Sequence, residues 1–535
     1  MVEDQGTSAA DSRLISAMRR PEFYPDHPAQ IDFKQTHMSW VFLAGGEVYK
    51  VKKPVNYAFA DATTLESRYF LCLEEVRLNR RLAPGTYLGV VPIVDRGTRL
   101  ALADYAEMQD PNVREYAVRM RRLPDDRMLD HLLRIGEVRP HAIGKIAHRL
   151  AGFHRAASIA NGVRYGSAAA ISRTVLENLD ECRPAIETTV GDRGFDPIRD
   201  YLSRFIAGHR ELLDLRAGQG RVCEGHGDLR CEHVCLTEEI DIFDCVEFNE
   251  QLRYGDVASD LAFLAMDLDA FGAPHLADEL IRAYSKESND RALATLITFY
   301  KCHRACIRGK VDYLKSLKPE VPPEERERAR ERARAKFSLA ARYAACGRPA
   351  LLVVCGLVAS GKSTMAERLR LSTGFEILNS DRVRKQLAGI PETLHRRGEY
   401  GTGIYTPAFD ALTYETLIEQ ARRSLAAGRG AVLDATFKSP ANRSAAVALA
   451  AEMHVPVLFV ECRAGERETL RRLHDRAGKR AEVSDATEEI YAEHKRDFVS
   501  ITELPARRHL VIDTGSEDLE PAIRRLEAAL SNPLS

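Results

Sequence analysis

The sequence predicts two domains of different class, an α+β domain followed by an α/β domain built on a parallel sheet. Three observations predict this. Residues 31–123 read as strands around one helix and residues 127–205 as mainly helical, the order of a small β-rich lobe on a larger helical one. From residue 351 onward, short apolar runs alternate with helical stretches, the pattern of a parallel sheet covered on both faces. Between the two, residues 319–348 open with prolines, run through dense alternating charge and close at Gly347 and Pro349, which marks a seam. The expected division is an N-terminal extension over 1–30, a first domain over 31–347 and a second over 348–535.

The chain has 535 residues, enough for roughly three to four units of about 150 each. It is 45% hydrophobic and 29% charged with a net charge of -1, which supplies cores and argues against a binder that grips polyanions with its whole surface. The first 20 residues lack the basic start and apolar core of a secretory signal, and no apolar run approaches the ~18 residues of a membrane span. The expected address is the cytoplasm, with no membrane partner. Eleven cysteines at irregular spacings, without a Cys-x-x-Cys pair, read as free buried thiols. A metal site from Cys231 and Cys235 around His233, or from Cys302 and Cys306, is the less favoured reading.

In chain order, residues 31–55 predict strands joined by a turn at Gly45 and Gly46. Residues 66–83 form an amphipathic pattern of helical period, and 87–95, 99–109 and 116–123 resume as strands. The charged centre of the seam predicts a helix, either a nucleic-acid contact or a solvated face; its interspersed glutamates favour the latter. Beyond it, 351–356, 375–378, 430–436, 456–462 and 509–513 are strand candidates, and a helix opens at Lys362.

Residues 356–364, "GLVASGKST", match G-x-x-x-x-G-K-[ST] between a predicted strand and a predicted helix. Gly356 and Gly361 let the backbone curl around Ser360 so that N–H groups point at phosphate oxygens, and the helix N-terminus adds positive potential. Lys362 then reaches the terminal phosphates, while Ser363, beside Thr364, offers a hydroxyl to Mg²⁺. Asp381, just past the second strand, is placed either to take a proton from an acceptor hydroxyl or to cap a helix. Arg384 follows one turn later as a phosphate or acceptor clamp. Asp434 ends the "AVLD" strand as a water-mediated Mg²⁺ ligand or a cap. The basic helix and loop over 466–480 read as a lid, with Arg472 and Arg476 aimed at the transferring phosphate or lying on a solvated face.

With "NSDRVRK", "LDATF" and "RLHDRAGKRAEVSDA", this motif makes residues 349–535 resemble the small P-loop kinases that include polynucleotide 5′-kinase domains, gluconate kinase and zeta-type toxins. In the polynucleotide-kinase branch, the Asp matching Asp381 is the general base and an Arg matching Arg384 binds phosphate. The acceptor varies across that family and does not carry over.

Residues 226–233, "HGDLRCEH", raise a second chemistry. Protein-kinase-like enzymes use D-x-x-x-x-N, in which Asp accepts the hydroxyl proton and Asn binds Mg²⁺. Here Asp228 is followed at that spacing by His233. "EIDIFDCVEF" supplies Asp244 as a metal-binding Asp, and Asp260 opens an apolar helix. Lys50 and Lys52 share a strand face; Lys50 is preferred as the phosphate ligand because its neighbour two residues back is Val48 rather than a charge, and Glu75 is its expected partner. The ordered set resembles the aminoglycoside and choline phosphotransferase superfamily over about residues 30–345, and its loop is usually H-G-D-L-H-x-x-N. With "THMSWVFLAGGEVYKVKKPV" and "FYKCHRACIRGKVDY", the whole chain resembles a bacterial group that fuses such a domain to a P-loop kinase. The chain departs from the loop pattern at two positions, Arg230 for His and His233 for Asn, and imidazole suits transition metals better than Mg²⁺.

The resemblance implies a bilobal protein-kinase-like fold before a P-loop fold, and two ATP- and Mg²⁺-using modules that phosphorylate hydroxyl acceptors. Small molecules are the favoured acceptors, with an RNA or DNA 5′ end open at the second site. The departures at 230 and 233 leave open a first module that senses nucleotide and regulates the second.

Overall fold

Alternation along residues 31–52 decides the first sheet. The computed structural model describes residues 9–57, 60–158, 162–191, 194–390, 403–477, 488–515 and 520–531. By packing, the chain divides into two units, one of Met1–Ser167 with Asp214–Asn289, the other of Ala168–Leu213 with Asp290–Ser535.

In the first unit, helix α1 (Ala9–Met18) precedes strands β1 (Ile31–Gln35), β2 (Ser39–Ala44) and β3 (Glu47–Lys52), the last two joined at the expected turn. Helix α2 (Leu65–Asn79) and strands β4 (Tyr87–Asp95), β5 (Leu100–Leu102) and β6 (Val113–Arg121) follow. The six strands pair antiparallel in the order β1-β2-β3-β6-β4-β5. The strand expected over 99–109 stops at Leu102: β5 pairs only with Ile93–Asp95 at the sheet edge, and the chain then enters a 3-10 turn at Tyr105–Glu107. On one face Leu14 and Met18 of α1 pack on Trp40, Phe42, Tyr49 and Val51. On the other, Cys72 and Val76 of α2 pack on Val90, Tyr116 and Val118. Strand alternation therefore turns Lys50 and Lys52 toward α2, away from Tyr49 and Val51.

The helical part of this unit contains α3 (Pro140–Ala156), the short antiparallel pair β7 (Val222–Glu224) and β8 (Tyr254–Asp256), and helices α4 (Val257–Ala270) and α5 (Pro274–Ser288). α4 is buried from Val257 to Leu268, as an apolar helix at the centre of a core should be. Asp256 caps it, accepting from the Ala258 N–H at 2.8 Å while gripping Arg216 through two 2.7 Å bonds.

The second unit begins with two helices, Ala168–Val190 and Phe195–Gly208, and continues through α6 (Leu293–Ser316) and α7 (Pro323–Cys346). Then come β9 (Leu351–Cys355), α8 (Lys362–Thr373), β10 (Glu376–Asn379), α9 (Ser380–Leu387), α10 (Pro407–Ala426), β11 (Ala431–Asp434), α11 (Pro440–Glu452), β12 (Val457–Arg463), α12 (Glu466–Ala477) and β13 (His509–Asp513). The five strands are parallel in the order β10-β11-β9-β12-β13. Tyr414 and Leu417 of α10 and Ala446 and Leu449 of α11 cover one face; Met365, Ala366 and Leu369 of α8 cover the other. This is the parallel α/β fold expected from the alternation.

The helix expected within the seam is α7, and it lies inside the second unit. Ala329, Ala333, Phe337, Ala340 and Ala344 recur at three- and four-residue spacing and are buried. The Cys302 thiol of α6 reaches the Ala340 carbonyl at 3.4 Å. On the charged face Arg332 pairs with Asp312 at 3.1 Å and Glu325 at 3.0 Å, so those charges are spent locally. α6 also lies on α8, where the Thr298 hydroxyl donates to the Ser372 carbonyl at 3.3 Å. All eleven cysteines are free and buried. Among the described residues no helix is long and apolar enough to cross a membrane.

His303 of α6 is buried, and among the described residues neither ring nitrogen has a hydrogen-bond partner. Burial, with Arg304 and Lys310 nearby, lowers its pKa from 6.5 to about 3. As pH falls below 6.5 the unfolded chain takes a proton that the folded imidazole refuses until about pH 3, so stability falls across that window. His303→Leu is expected to flatten this acid limb. Urea midpoints of variant and wild type, compared at about pH 7 and about pH 5, check it.

Candidate active sites

In the first unit the two strand lysines meet carboxylates from three segments. Lys50 Nζ lies 2.8 Å from Glu75 Oε1 and 2.5 Å from Asp244 Oδ1. Lys52 Nζ lies 2.5 Å from Glu75 Oε2 and also contacts Glu247. Glu75 thus serves both lysines. They differ in surroundings: Lys52 is fully buried between two glutamates, whereas Lys50 reaches Asp244, whose side chain is 38% exposed. Asp244 sits in the left-handed region at φ 66°, costly for a residue with a Cβ, and neighbouring groups hold it there. Its N–H donates to the Tyr87 hydroxyl at 3.3 Å, and the Cys245 N–H donates to Asn79 Oδ1 at 2.8 Å. Burial raises the Asp244 carboxyl, but Lys50, His233 and Lys52 together outweigh it and hold the group well below the usual carboxylate range.

The 226–233 loop is fixed from beneath by α4. Asp260 accepts from the His226 and Gly227 N–H groups at 2.5 and 2.9 Å, and Asp267 accepts from that of Cys231 at 3.0 Å. Gly227 adopts φ 85°, and a Cβ there would meet the Leu252 carbonyl at 2.9 Å. Asp228 emerges partly exposed, and Arg230 Nε donates to its Oδ2 at 3.0 Å. His233 Nδ1 lies 2.8 Å from the Asp228 carbonyl, and its Nε2 lies 3.1 Å from Arg230 Nη2 and 3.5 Å from Asp244 Oδ2. His233 therefore stands between the two aspartates that the sequence singles out. Asp244 keeps an open side and fits a hard cation. His233 fits one less well, because its Nε2 faces a guanidinium.

In the second unit the loop after β9 curls as the motif requires. Gly356 and Gly361 adopt φ 128° and 86°, and a Cβ on Gly356 would strike the Cys462 carbonyl at 2.3 Å. Lys362 folds back on the loop and donates to the Leu357 carbonyl at 2.7 Å. Burial lowers its pKa, opposed by Asp434 and Asp381, so both carboxylates act on the same ammonium. The Ser360 hydroxyl is buried and, among the described residues, lacks a hydrogen-bond partner. A loop with an orphaned hydroxyl, an ammonium and a helix N-terminus fits a phosphate group. Ser363 and Thr364 are exposed on the first turn of α8, and Asp434 is buried at the end of β11 beside β9. A hydroxyl and a strand-end carboxylate are hard oxygen donors that suit Mg²⁺.

The capping alternatives are resolved by other residues. Asn379 caps α9, its Oδ1 accepting from the Asp381 and Arg382 N–H groups at 3.0 and 3.1 Å. Its Nδ2 donates to Asp434 Oδ2 at 2.9 Å. Ser439 caps α11. Neither Asp381 nor Asp434 is spent on a helix end. Arg384 joins Asp381 at 2.9 Å to Asp410 at 2.5 Å, and its guanidinium lies 5.1 Å from the Tyr405 ring centre. Arg472 braces the phosphate loop, donating to the Ala359 carbonyl at 3.4 Å and to Thr514 Oγ1 and carbonyl at 3.1 and 2.6 Å. The side chain of Arg476 and the lid stretch 478–487 lie outside the described residues.

The sequence reading missed Glu247, Asn379, Asp410 and Thr514. Of these only Asn379, at the strand-to-helix junction before Ser380, carried a sequence signal, that of an N-cap.

A family model for the AAA domain matches residues 351–501. Rv2004c of Mycobacterium tuberculosis and Mb2027c of Mycobacterium bovis are each 32% identical over 468 residues, spanning 86% of this chain and 89% of theirs. Among solved structures, a choline/ethanolamine kinase family protein from Mesorhizobium loti covers 62% of this chain and 99% of its own at 14% identity, TM-score 0.35. A putative kinase from Chloroflexus aurantiacus covers 34% and 98% at 16% identity, TM-score 0.28.

The two lysines are expected to separate on substitution. Lys52→Met leaves Glu75 and Glu247 buried with one cation fewer and should cost about 3–5 kcal/mol, read by chemical denaturation. Lys50→Met, beside the half-exposed Asp244, should cost less.

Proposed function

Since this chain belongs to the family of the mycobacterial proteins Rv2004c and Mb2027c and is an ATP-dependent kinase, we propose that each of its units carries a phosphotransfer site. The observation that carries the two-site reading is the convergence of Lys50, Glu75 and Asp244 in one unit while a complete phosphate loop stands in the other. When bound, ATP supplies the phosphoryl group and Mg²⁺ spreads its charge.

In the first unit Glu75 holds Lys50 at the phosphates, Asp244 offers the ion an oxygen, and Asp228 takes the proton of the acceptor hydroxyl. In the second, the loop from Gly356 to Thr364 cradles the phosphates, with Ser360 turned inward and Lys362 poised to leave the Leu357 carbonyl for a phosphate oxygen. Ser363 and Asp434 serve the ion. Asp381 is the base, the capping role having fallen to Asn379, and Arg384 fixes its direction through Asp410. Arg472 holds the loop from behind, and Arg476 is assigned to the lid. The catalysis is positioning and fixed charge, as phosphoryl transfer requires.

Small hydroxyl compounds are the favoured acceptors. The near-neutral chain and the paired charges of α7 offer a polynucleotide little to grip.

Incubation of wild type, Asp228→Asn and Lys362→Ala with γ-labelled ATP and a mixed metabolite and RNA extract tests the reading. Each variant is expected to lose a different labelled product. Asp381→Asn should slow the second product by about 10²–10⁴-fold with little change in nucleotide affinity. Label on RNA 5′ ends that disappears with Asp381→Asn would reassign the second acceptor. A first unit that binds nucleotide and never turns it over would make that unit regulatory.

A further inference from the structure

The two departures from the usual loop, Arg230 and His233, touch each other. An arginine nitrogen always carries hydrogen, so the 3.1 Å contact makes His233 Nε2 the acceptor. The Asp228 carbonyl 2.8 Å from Nδ1 has only lone pairs, so Nδ1 carries the proton. The two contacts engage both ring nitrogens, Nε2 with Arg230 and Nδ1 with the Asp228 carbonyl. The lone pair that an ion would need already points at a guanidinium. Arg230 is anchored on both sides of this contact: its Nε donates to Asp228 Oδ2 at 3.0 Å and its Nη1 contacts Glu232. Its side chain is only 15% exposed. Asp244, by contrast, gives one oxygen to Lys50, and its other oxygen, 3.5 Å from His233 Nε2, lies on a side chain that is 38% exposed. Among the described residues no three His, Cys, Asp or Glu side chains are grouped to hold an ion by themselves.

Resting on the proposed nucleotide site of the first unit, we propose that Arg230 supplies there the fixed positive charge that a second metal ion would bring to position 233, so that nucleotide binds this unit with a single divalent ion, on Asp244. The residues fit one ion position and not the other. Arg230 acts by positioning: one guanidinium orients Asp228, occupies His233 and places charge beside the phosphates. A charge that cannot be deprotonated is present whatever the supply of free metal.

The test uses the full chain carrying Lys362→Ala, which removes the phosphate-loop lysine, with a non-hydrolysable ATP analogue and Mn²⁺ counted by electron paramagnetic resonance. One Mn²⁺ per bound nucleotide is expected. His233→Ala added to that background should leave the count at one, and Arg230→Ala should raise it to two by freeing Nε2. If Arg230→Ala does not fold, Arg230→Gln keeps the length, removes the charge and gives the same readout. Two ions before any change at 230, or a count that falls with His233→Ala, overturns the single-ion proposal while the nucleotide site stands. Failure to find nucleotide binding that is lost on Lys50→Met overturns the site itself, and the proposal with it.

Discussion

On the α2 side of the first sheet, β3 turns two ammonium groups into the interior, and burial obliges carboxylates to converge on them. Glu75 comes from the helix, and Asp244 and Glu247 come from a segment almost two hundred residues later. The cluster therefore does two jobs. It ties the segment at 244–247 to the strands, and it sets an acidic oxygen and an ammonium side by side at a partly open edge. The strain at Asp244 is tolerable because Tyr87 and Asn79 fasten the backbone on either side of its Cα. The loop at 226–233 is then anchored independently by Asp260 and Asp267 on α4, so Asp228 and Asp244 face one histidine from two separate supports.

The second unit meets a similar demand with backbone rather than with ion pairs. Its phosphate loop leans on β12 and on the turn after β13. The Thr514 hydroxyl lies 2.7 Å from the Ser360 carbonyl, and Arg472 fills the remaining space behind the loop. The glycines are placed where neighbouring carbonyls and Thr514 leave no room for a side chain. What faces outward is a set of donors, with Asp434 at the end of β11 and Asp381 in the first turn of α9 acting on the lysine.

Much of this was legible in the residues themselves. The strand at 509–513 has the expected bounds, and β9, β10, β11 and β12 fall within a residue or two of their expected positions, because short apolar runs between glycines and polar caps admit few alternatives. The preference for Lys50 over Lys52 rested on the charge of the residue two positions back, and Lys50 is the one that meets both Glu75 and Asp244. Glu247 and Asp410 were invisible for a different reason. An acidic residue in a polar stretch carries no local mark of the cation it will meet, and these cations arrive from segments far away in the chain. The strand at 99–109 was overextended because its apolar residues continue past the point where the sheet offers a neighbour. The charged helix at the seam read as a solvated face because its charges dominate the text; its alanine stripe, spaced for a close helix contact, marks the buried side.

That stripe bears on how the polypeptide is threaded. The first unit is written in two instalments, and the second takes its covering helices from stretches on either side of the later one. Severing the gene at codon 348, where the text most resembles a join, would leave the parallel sheet without the α6 residues that cap the end of α8, including the Thr298 hydroxyl on Ser372. The reading frame thus makes the second unit depend on helices encoded before the seam as well as after it.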